Sequence, residues 1–339
     1  MTTASAHPAA DQLRFERTVP RSIAHRRQIG EVFVADSVQS SDDDFHLSFQ
    51  IPRAHSLWSD RHPSHHDPFA SAEAARQAIF VLLHRHVGVP VGLPFSLQRI
   101  ELRVEDPQAY ADDGRSALQG RLHYRIAERR HKGSDVMGMG LEGVMEVAGR
   151  GAMTLSARLA FMSQDDYDLF RAFRRSGKPL VAPELTPVRR LAPARVGREI
   201  ARNVVIGTAD QEPGSPEDGV YRCLLAADPG HPAFFDHEYD HVPGPLMVEG
   251  LRQAALVAAH RGGAVPDAHA LTVGCEASFL DFAEFDADLV HEARVGTPAS
   301  DGRVPVAVGL RQSGRTVVEG RVTLLPRPTA PRTTRRHGG

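Results

Sequence analysis

"DHEYDHVPGPLMVEGLRQAA" (residues 236–255) crowds acids and histidines against a Pro-Gly corner, then sets Glu249 and Arg252 inside a run that is otherwise apolar. Proline suits the first turn of a helix, where its missing N–H leaves no hydrogen bond unmade, so the corner predicts a helix from Gly244 to about Arg261. Glu249, Arg252 and Gln253 stand at i, i+3 and i+4 and therefore share one helical face. A carboxylate and a guanidinium are tolerable together in an apolar setting because each neutralises the other, whereas either alone costs several kcal/mol. The pair is either an ion pair that fixes packing or part of a site.

The same residues recur upstream. At one fixed offset of 176, His55, Asp60, His65, Glu73, Arg76, Gln77, Ala78, Val81, His84 and Arg85 meet His231, Asp236, His241, Glu249, Arg252, Gln253, Ala254, Val257, His260 and Arg261 without a gap. A shared apolar pattern would not reproduce these polar positions, so the chain is a duplication. Further upstream, "HRRQIGEVFVAD" (25–36) is similar to "GREIARNVVIGT" (197–208), each with an arginine ahead of a β-branched run, and both are read as first strands.

Each copy then follows one order. A strand ("FHLSFQIP"; "GVYRCLLAA") leads to a histidine-bearing loop, one long helix, and several β-rich runs with turn punctuation. The first helix is expected from about Phe69 to His86, and small and aliphatic residues around both helices predict burial on several sides. One helix wrapped by an antiparallel sheet in each copy gives an α+β class. The expected organisation is a disordered amino terminus (1–17), repeat 1 (18–175), a Pro-rich linker (176–195), repeat 2 (196–327) and a disordered tail (328–339).

The chain has 339 residues, 41% of them hydrophobic, and a formal charge of −2, which is ordinary globular composition. Duplex binding needs a strongly basic face, so the charge balance argues against nucleic acid. No stretch has the apolar length of a membrane span and no secretory h-region opens the chain, so a cytoplasmic location is expected. Cys223 and Cys275 are too few for a disulfide framework and are read as reduced, structural thiols. Basic clusters at 171–178 and 188–202 fit a solvated linker face or a dock for an acidic partner. "HPSHHD" (62–67) has no structural-zinc spacing, and no metal is assigned.

The string "FFDHEYDHVPGPLMVEGLRQA" closely resembles the signature of the A-factor biosynthesis (AfsA-type) hotdog family. "HDPFASAEAARQA", following "EVFVAD" and "IPRAHSLW", fits the family's other half. The resemblance spans about Ser22 to Leu325. It implies a double hotdog and a β-ketoacyl transferase that moves its acyl chain from acyl carrier protein to the hydroxyl of dihydroxyacetone phosphate or a similar three-carbon phosphate. The product is a precursor of γ-butyrolactone signalling molecules. No cofactor is implied, and the assembly is a monomeric pseudodimer or a homodimer. Two departures stand out: Pro68-Phe69 in copy one replaces Gly244-Pro245, and Pro245 stands where a larger apolar residue is expected. The first departure weakens the case for a full site in copy one.

Candidate site residues follow. Glu249 is the candidate base, since burial raises its pKa, Arg252 lowers it, and the balance decides whether it accepts the alcohol's proton. Arg252, with a planar fork of donors, suits a phosphate or β-keto oxygens. His237 and His241 are alternative acid–base groups. The related dehydratases carry their histidine farther upstream, which leaves the two undistinguished and argues against plain dehydration. The N–H groups at Gly244 would form an oxyanion hole. Asp236, Gln253, His65 and Asp60 are candidate substrate contacts, and Glu73 and Arg76 repeat the charged pair. Ala254, Ala255 and Ala258 leave room beside the second helix for an acyl tunnel, with Trp58 and Phe234 as core aromatics or tunnel walls. A dehydratase or thioesterase, or a non-catalytic acyl-ligand sensor with both glutamates sealed in ion pairs, stays open.

Overall fold

The computed structural model describes residues 10–60, 64–133, 135–178, 185–209 and 218–326. The first nine residues, linker residues 179–184, His62 of the histidine cluster and the tail from 327 lie outside them. In chain order the elements are β1 (Val34–Gln39), β2 (Asp44–Ile51), α1 (Pro68–Leu82), β3 (Phe95–Val104), β4 (Leu118–Lys132), β5 (Asp135–Val147) and β6 (Arg150–Phe161). There follow α2 (Gln164–Ser176), β7 (Arg189–Arg190), β8 (Ile206–Thr208), β9 (Tyr221–Leu225) and α3 (Gly244–Arg261). The last four strands are β10 (Leu271–Phe279), β11 (Leu289–Val295), β12 (Val304–Gln312) and β13 (Arg315–Leu325).

The strands form one antiparallel sheet in the order β1-β2-β4-β5-β6-β3-β10-β13-β12-β11-β9-β8-β7. Outward from the β3–β10 seam the two halves match strand for strand, ending on the short β7, which lies beyond β8. The duplication is thus visible as a mirrored strand order, the double hotdog expected from the repeat. Along β4 and β12 buried residues alternate with more exposed ones, as a sheet with one face on the core requires. α1 lies on β1 and β2, and α3 on β9, β11 and β12. The helices also meet each other: the Arg252 guanidinium carbon of α3 stands 5.8 Å from the centre of the Phe69 ring of α1.

Both helices begin within a residue of expectation. α1 passes into a π-helical turn, Leu83–Val87, that ends at Gly88 in the left-handed conformation (φ 83°). α3 is buried from Leu246 to Ala259, so a small residue is needed where it presses closest to the sheet. At Gly250 an added Cβ would come 2.3 Å from His291 Nε2. His291 is fully buried, and burial pushes its imidazole down to about 3 from the usual 6.5. The unfolded chain therefore takes up this proton near pH 6.5 while the folded one refuses it until about 3. Stability falls as pH drops through that window, by up to ~1.4 kcal/mol per unit for one group. The melting temperature is expected to decline from pH 6.5 towards 4, and His291→Gln to make that decline shallower.

Two expectations need correction. Residues 10–17 are not detached: Leu13 is buried, and Ser48 donates a 2.6 Å hydrogen bond to the Arg14 carbonyl, so this segment lies on the sheet. The basic run 171–178 is not a solvated linker face. It ends α2, and Arg171, Arg175 and Lys178 converge on Glu284, whose side chain is 0% exposed, with bonds of 2.7–3.0 Å. Its acidic partner is therefore internal, because repeat 2 supplies a buried carboxylate that the isolated string cannot reveal. The linker also carries structure, with β7 pairing to β8 and a 3-10 turn at Pro193–Val196. Cys223 and Cys275 are buried free thiols, and burial pushes Cys275 up to about 12.

Candidate active site

The charged residues of the repeats form two related knots. In the second, Arg252 donates to Glu249 through Nε (2.9 Å) and Nη2 (2.8 Å), and Gln253 donates at 2.6 Å. Arg198, from the turn preceding β8, adds Nη2 at 2.9 Å and donates through Nη1 to the carbonyls of Leu57 and Asp60. In the first, Arg76 donates to Glu73 through Nε (2.8 Å) and Nη2 (2.9 Å), Gln77 donates at 2.9 Å, and Arg26 completes the cluster. Gln77 and Gln253 also tie each helix to its first strand, accepting from Phe33 N–H and Val205 N–H, both at 2.9 Å. These are packing bonds, and Gln253, fully buried, has both amide donors engaged.

Arg26 and Arg198 were not anticipated as partners, although both sit in the strings quoted for the first strands. Their spacing, offset by 172 rather than 176, was the available signal. Their effect is electrostatic. Burial alone pushes the Glu249 carboxyl up, but Arg198 and Arg252 override it and hold it at about 2. Arg26 and Arg76 do the same for Glu73, also to about 2. Both carboxylates are ionised and poor proton acceptors, which disfavours Glu249 as the base.

The loops cross between repeats. Asp60 accepts from the backbone N–H groups of Glu199 (2.7 Å) and Ile200 and from Asn203 Nδ2 (2.7 Å), all in repeat 2. Asp236 accepts from the N–H groups of Arg27 and Gln28 in repeat 1. The two acids are cross-ties that hold each histidine loop over the other copy's knot, and are thereby withdrawn from the substrate list. Loop 236–243 consequently lies over Glu73 and Arg76: the Tyr239 hydroxyl and Asp236 act electrostatically on Arg76. Asp67 and Asp60 of repeat 1 act electrostatically on Arg252 in the same manner. Gly244 of copy two thus lines one cavity with Glu73 and Arg76 of copy one and with Glu249 of its own copy.

That corner is sparer than expected. Pro245 has no N–H, and the N–H groups of Leu246 and Met247 bond to the Pro243 carbonyl (3.0 and 3.2 Å). Among the described residues Gly244 N–H is the one open donor of the first turn, since α3 has no side-chain cap. It stands at a junction. On one side lies an apolar cavity of about 110 Å³ between the helices, walled by Trp58, Ala72, Ala75, Ile79, Leu97 and Tyr124, with Glu73, Arg76 and Glu249 at its polar margins. On the other lies a larger, more polar cavity of about 350 Å³ lined by His241, Arg174, Phe170 and Phe282. Gly244 and Leu97 line both.

The cavity follows α1 rather than α3, so Ala254, Ala255 and Ala258 are not its walls; they are buried in contacts of α3. Trp58 is a wall, and Phe234 is core. Ala75→Phe is expected to shorten the acyl chain the protein accepts, and Ala258→Phe to lower the melting temperature without that shift. Chain-length preference measured on both variants checks it; an unaltered preference in folded Ala75→Phe counts against the cavity as acyl site.

The histidines separate clearly. His241 Nδ1 lies 2.6 Å from Asp240 Oδ1, and Asp240 is fixed by Arg171 Nε (2.9 Å) and the Tyr167 hydroxyl (3.0 Å) of α2. The His241 tautomer in which Nδ1 donates to Asp240 leaves Nε2 with the free lone pair, and His241 and Gly244 line the same cavity. Burial pushes the Asp240 carboxyl up, but bonds from His241 and Arg171 override it and hold it well below the usual range. His237 stacks on Tyr239 (4.1 Å), and its pKa is lowered first by burial and then by Arg26. His65 lies on the far side, lining a small polar cavity with Arg252.

Residues 7–158 and 182–327 match the A-factor biosynthesis hotdog domain. The chain is 30% identical over 300 residues, 88% of its length and 95% of the relative's, to a 2-oxo-3-(phosphooxy)propyl 3-oxoalkanoate synthase of Streptomyces virginiae. It is 29% identical over 316 residues, 91% of its length and 93% of the relative's, to the protein of that name in Streptomyces coelicolor. A solved structure assigned as a thioesterase, from Novosphingobium aromaticivorans, superposes with a TM-score of 0.50 at 13% identity, covering 86% of this chain and 98% of that one, a likeness of fold alone. The match runs through both halves of the duplicated sheet: the chain belongs to the A-factor biosynthesis hotdog family.

Proposed function

We propose that this protein transfers a 3-oxoacyl group from a thioester, carried by acyl carrier protein, to the free hydroxyl of dihydroxyacetone phosphate, forming the ester named in its relatives. The observation that carries the reading is the place of Gly244, which lines both the apolar cavity that Arg76 borders and the larger, more polar cavity of His241. The acyl chain occupies the apolar cavity, and its thioester carbonyl lies at Gly244, whose N–H receives the oxyanion. His241 Nε2 takes the proton of the acceptor hydroxyl as its oxygen attacks the carbonyl carbon. The C–S bond then breaks, and the proton passes to the departing thiolate.

Arg76 anchors the acceptor's phosphate. Its Nε and Nη2 are held by Glu73, while Nη1 has no hydrogen-bond partner among the described residues, and the side chain is 24% exposed. Glu73 serves as the fixed counter-ion that aims Arg76. The test is incubation with a 3-oxoacyl carrier protein and dihydroxyacetone phosphate, with products read by mass spectrometry. The phosphorylated ester is expected; free 3-oxo acid regardless of acceptor would make the protein a thioesterase, and an untouched 3-oxoacyl substrate with conversion of a 3-hydroxyacyl carrier protein to the enoyl form would make it a dehydratase.

A further inference from the structure

The two knots share their residues but not their surroundings, and the difference lies at one position. Where α3 begins after Pro243, α1 begins after Asp67. Asp67 is 6% exposed, and its Oδ1 accepts from Phe69 N–H at 3.0 Å, capping the helix. Its Oδ2 is buried without a hydrogen bond and points between two arginines, 3.6 Å from Arg198 Nη1 and 3.9 Å from Arg252 Nη1. The space left beside it, lined by His65, His66, Arg198, Arg252 and Thr272, measures about 30 Å³, room for water and not for a phosphate.

A carboxylate presented by a helix N-terminus to two guanidinium groups offers the same charge and oxygen atoms as the anion such a site attracts. At the other end Pro243 brings no charge, α3 is uncapped, and Arg76 Nη1 is open. We propose that Asp67 is a built-in counter-ion occupying the anion position of the second site, so that each chain binds one phosphorylated acceptor, at Arg76 and not at Arg252. The inference rests on the reading of Arg76 as phosphate anchor given above. It makes the protein a one-site enzyme built from two homologous halves, with Asp67 the residue that closes the other.

The test is calorimetric titration of the whole chain with inorganic phosphate. The wild type is expected to take up one phosphate per chain. Asp67→Ser removes the charge and opens space while keeping a good N-cap, and is expected to raise the count to two. Asp67→Gly, nearly as good a cap, carries the same expectation should the serine variant not fold. Two phosphates on the wild type, or no gain in a folded Asp67 variant, overturns the proposal. Arg76→Gln tests the underlying reading separately: it is expected to bind none, and the Asp67→Ser, Arg76→Gln double variant one. Phosphate kept by Arg76→Gln sinks the anchor role of Arg76, while a gain on Asp67→Ser still upholds the counter-ion.

Discussion

Glu249→Gln is expected to cost ~3–5 kcal/mol of stability, because it removes the one carboxylate hydrogen-bonded by two buried guanidinium groups. Arg198 is 1% exposed and Arg252 6%, so neither can turn to water for compensation. Glutamine keeps the shape and accepts some of the bonds, but no charge remains to offset the arginines' desolvation. A fall in melting temperature of several degrees or more is the expected reading. An unchanged melting temperature would show that the knot is not what holds α3 to the turn before β8. Glu73→Gln should differ. Arg76 reaches solvent, so the stability loss is smaller, while the freed guanidinium loses its aim and transfer falls. Measuring melting temperature and ester formation on both variants separates the packing knot from the working one.

His241→Ala should lower ester formation 10²–10⁴-fold, the range set by a positioned acid–base group. Its side chain is 23% exposed and bonded to a half-exposed Asp240, so the fold should lose under about 1 kcal/mol. Asp240→Asn supplies the companion measurement. It leaves His241 in place but weakens control over which ring nitrogen carries the proton, so turnover should fall less steeply and binding of the acceptor little. A folded His241→Ala enzyme with near-normal turnover would falsify the assignment and pass the role to His237, the other histidine of that loop.

Much of this architecture is legible in the sequence, for definable reasons. A gapless offset that preserves Glu73 with Glu249 and Arg76 with Arg252 can only be a repeat, and Pro243-Gly244 marks a helix start whatever lies around it. What is not legible depends on the crossing of loops. Asp60 and Asp236 look like substrate ligands because acids beside a site usually are; nothing local says that their partners are backbone amides of the other repeat. The same crossing brings the Pro-Gly corner into one cavity with Glu73 as well as Glu249. α2 was open to detection: Ser163 caps Asp166 N–H, acids fill its first turn and Arg174 and Arg175 its last. Between the last strand run of repeat 1, which ends at Met162, and the linker from 176, no element is expected from the apolar and turn patterns.

The continuous sheet across β3 and β10 bears on how such a protein can change. In a homodimer with two-fold symmetry every substitution appears at both sites, so a carboxylate that blocks one blocks both, and a helix start that opens one opens both. Joining the halves in one chain lifts that coupling. Asp67 and Pro243 occupy equivalent places yet vary separately, and so do the α2 segment, whose ion pairs run to repeat 2, and the α1-side cavity wall. One half is then free to be tuned for substrate while its twin is kept as rigid support.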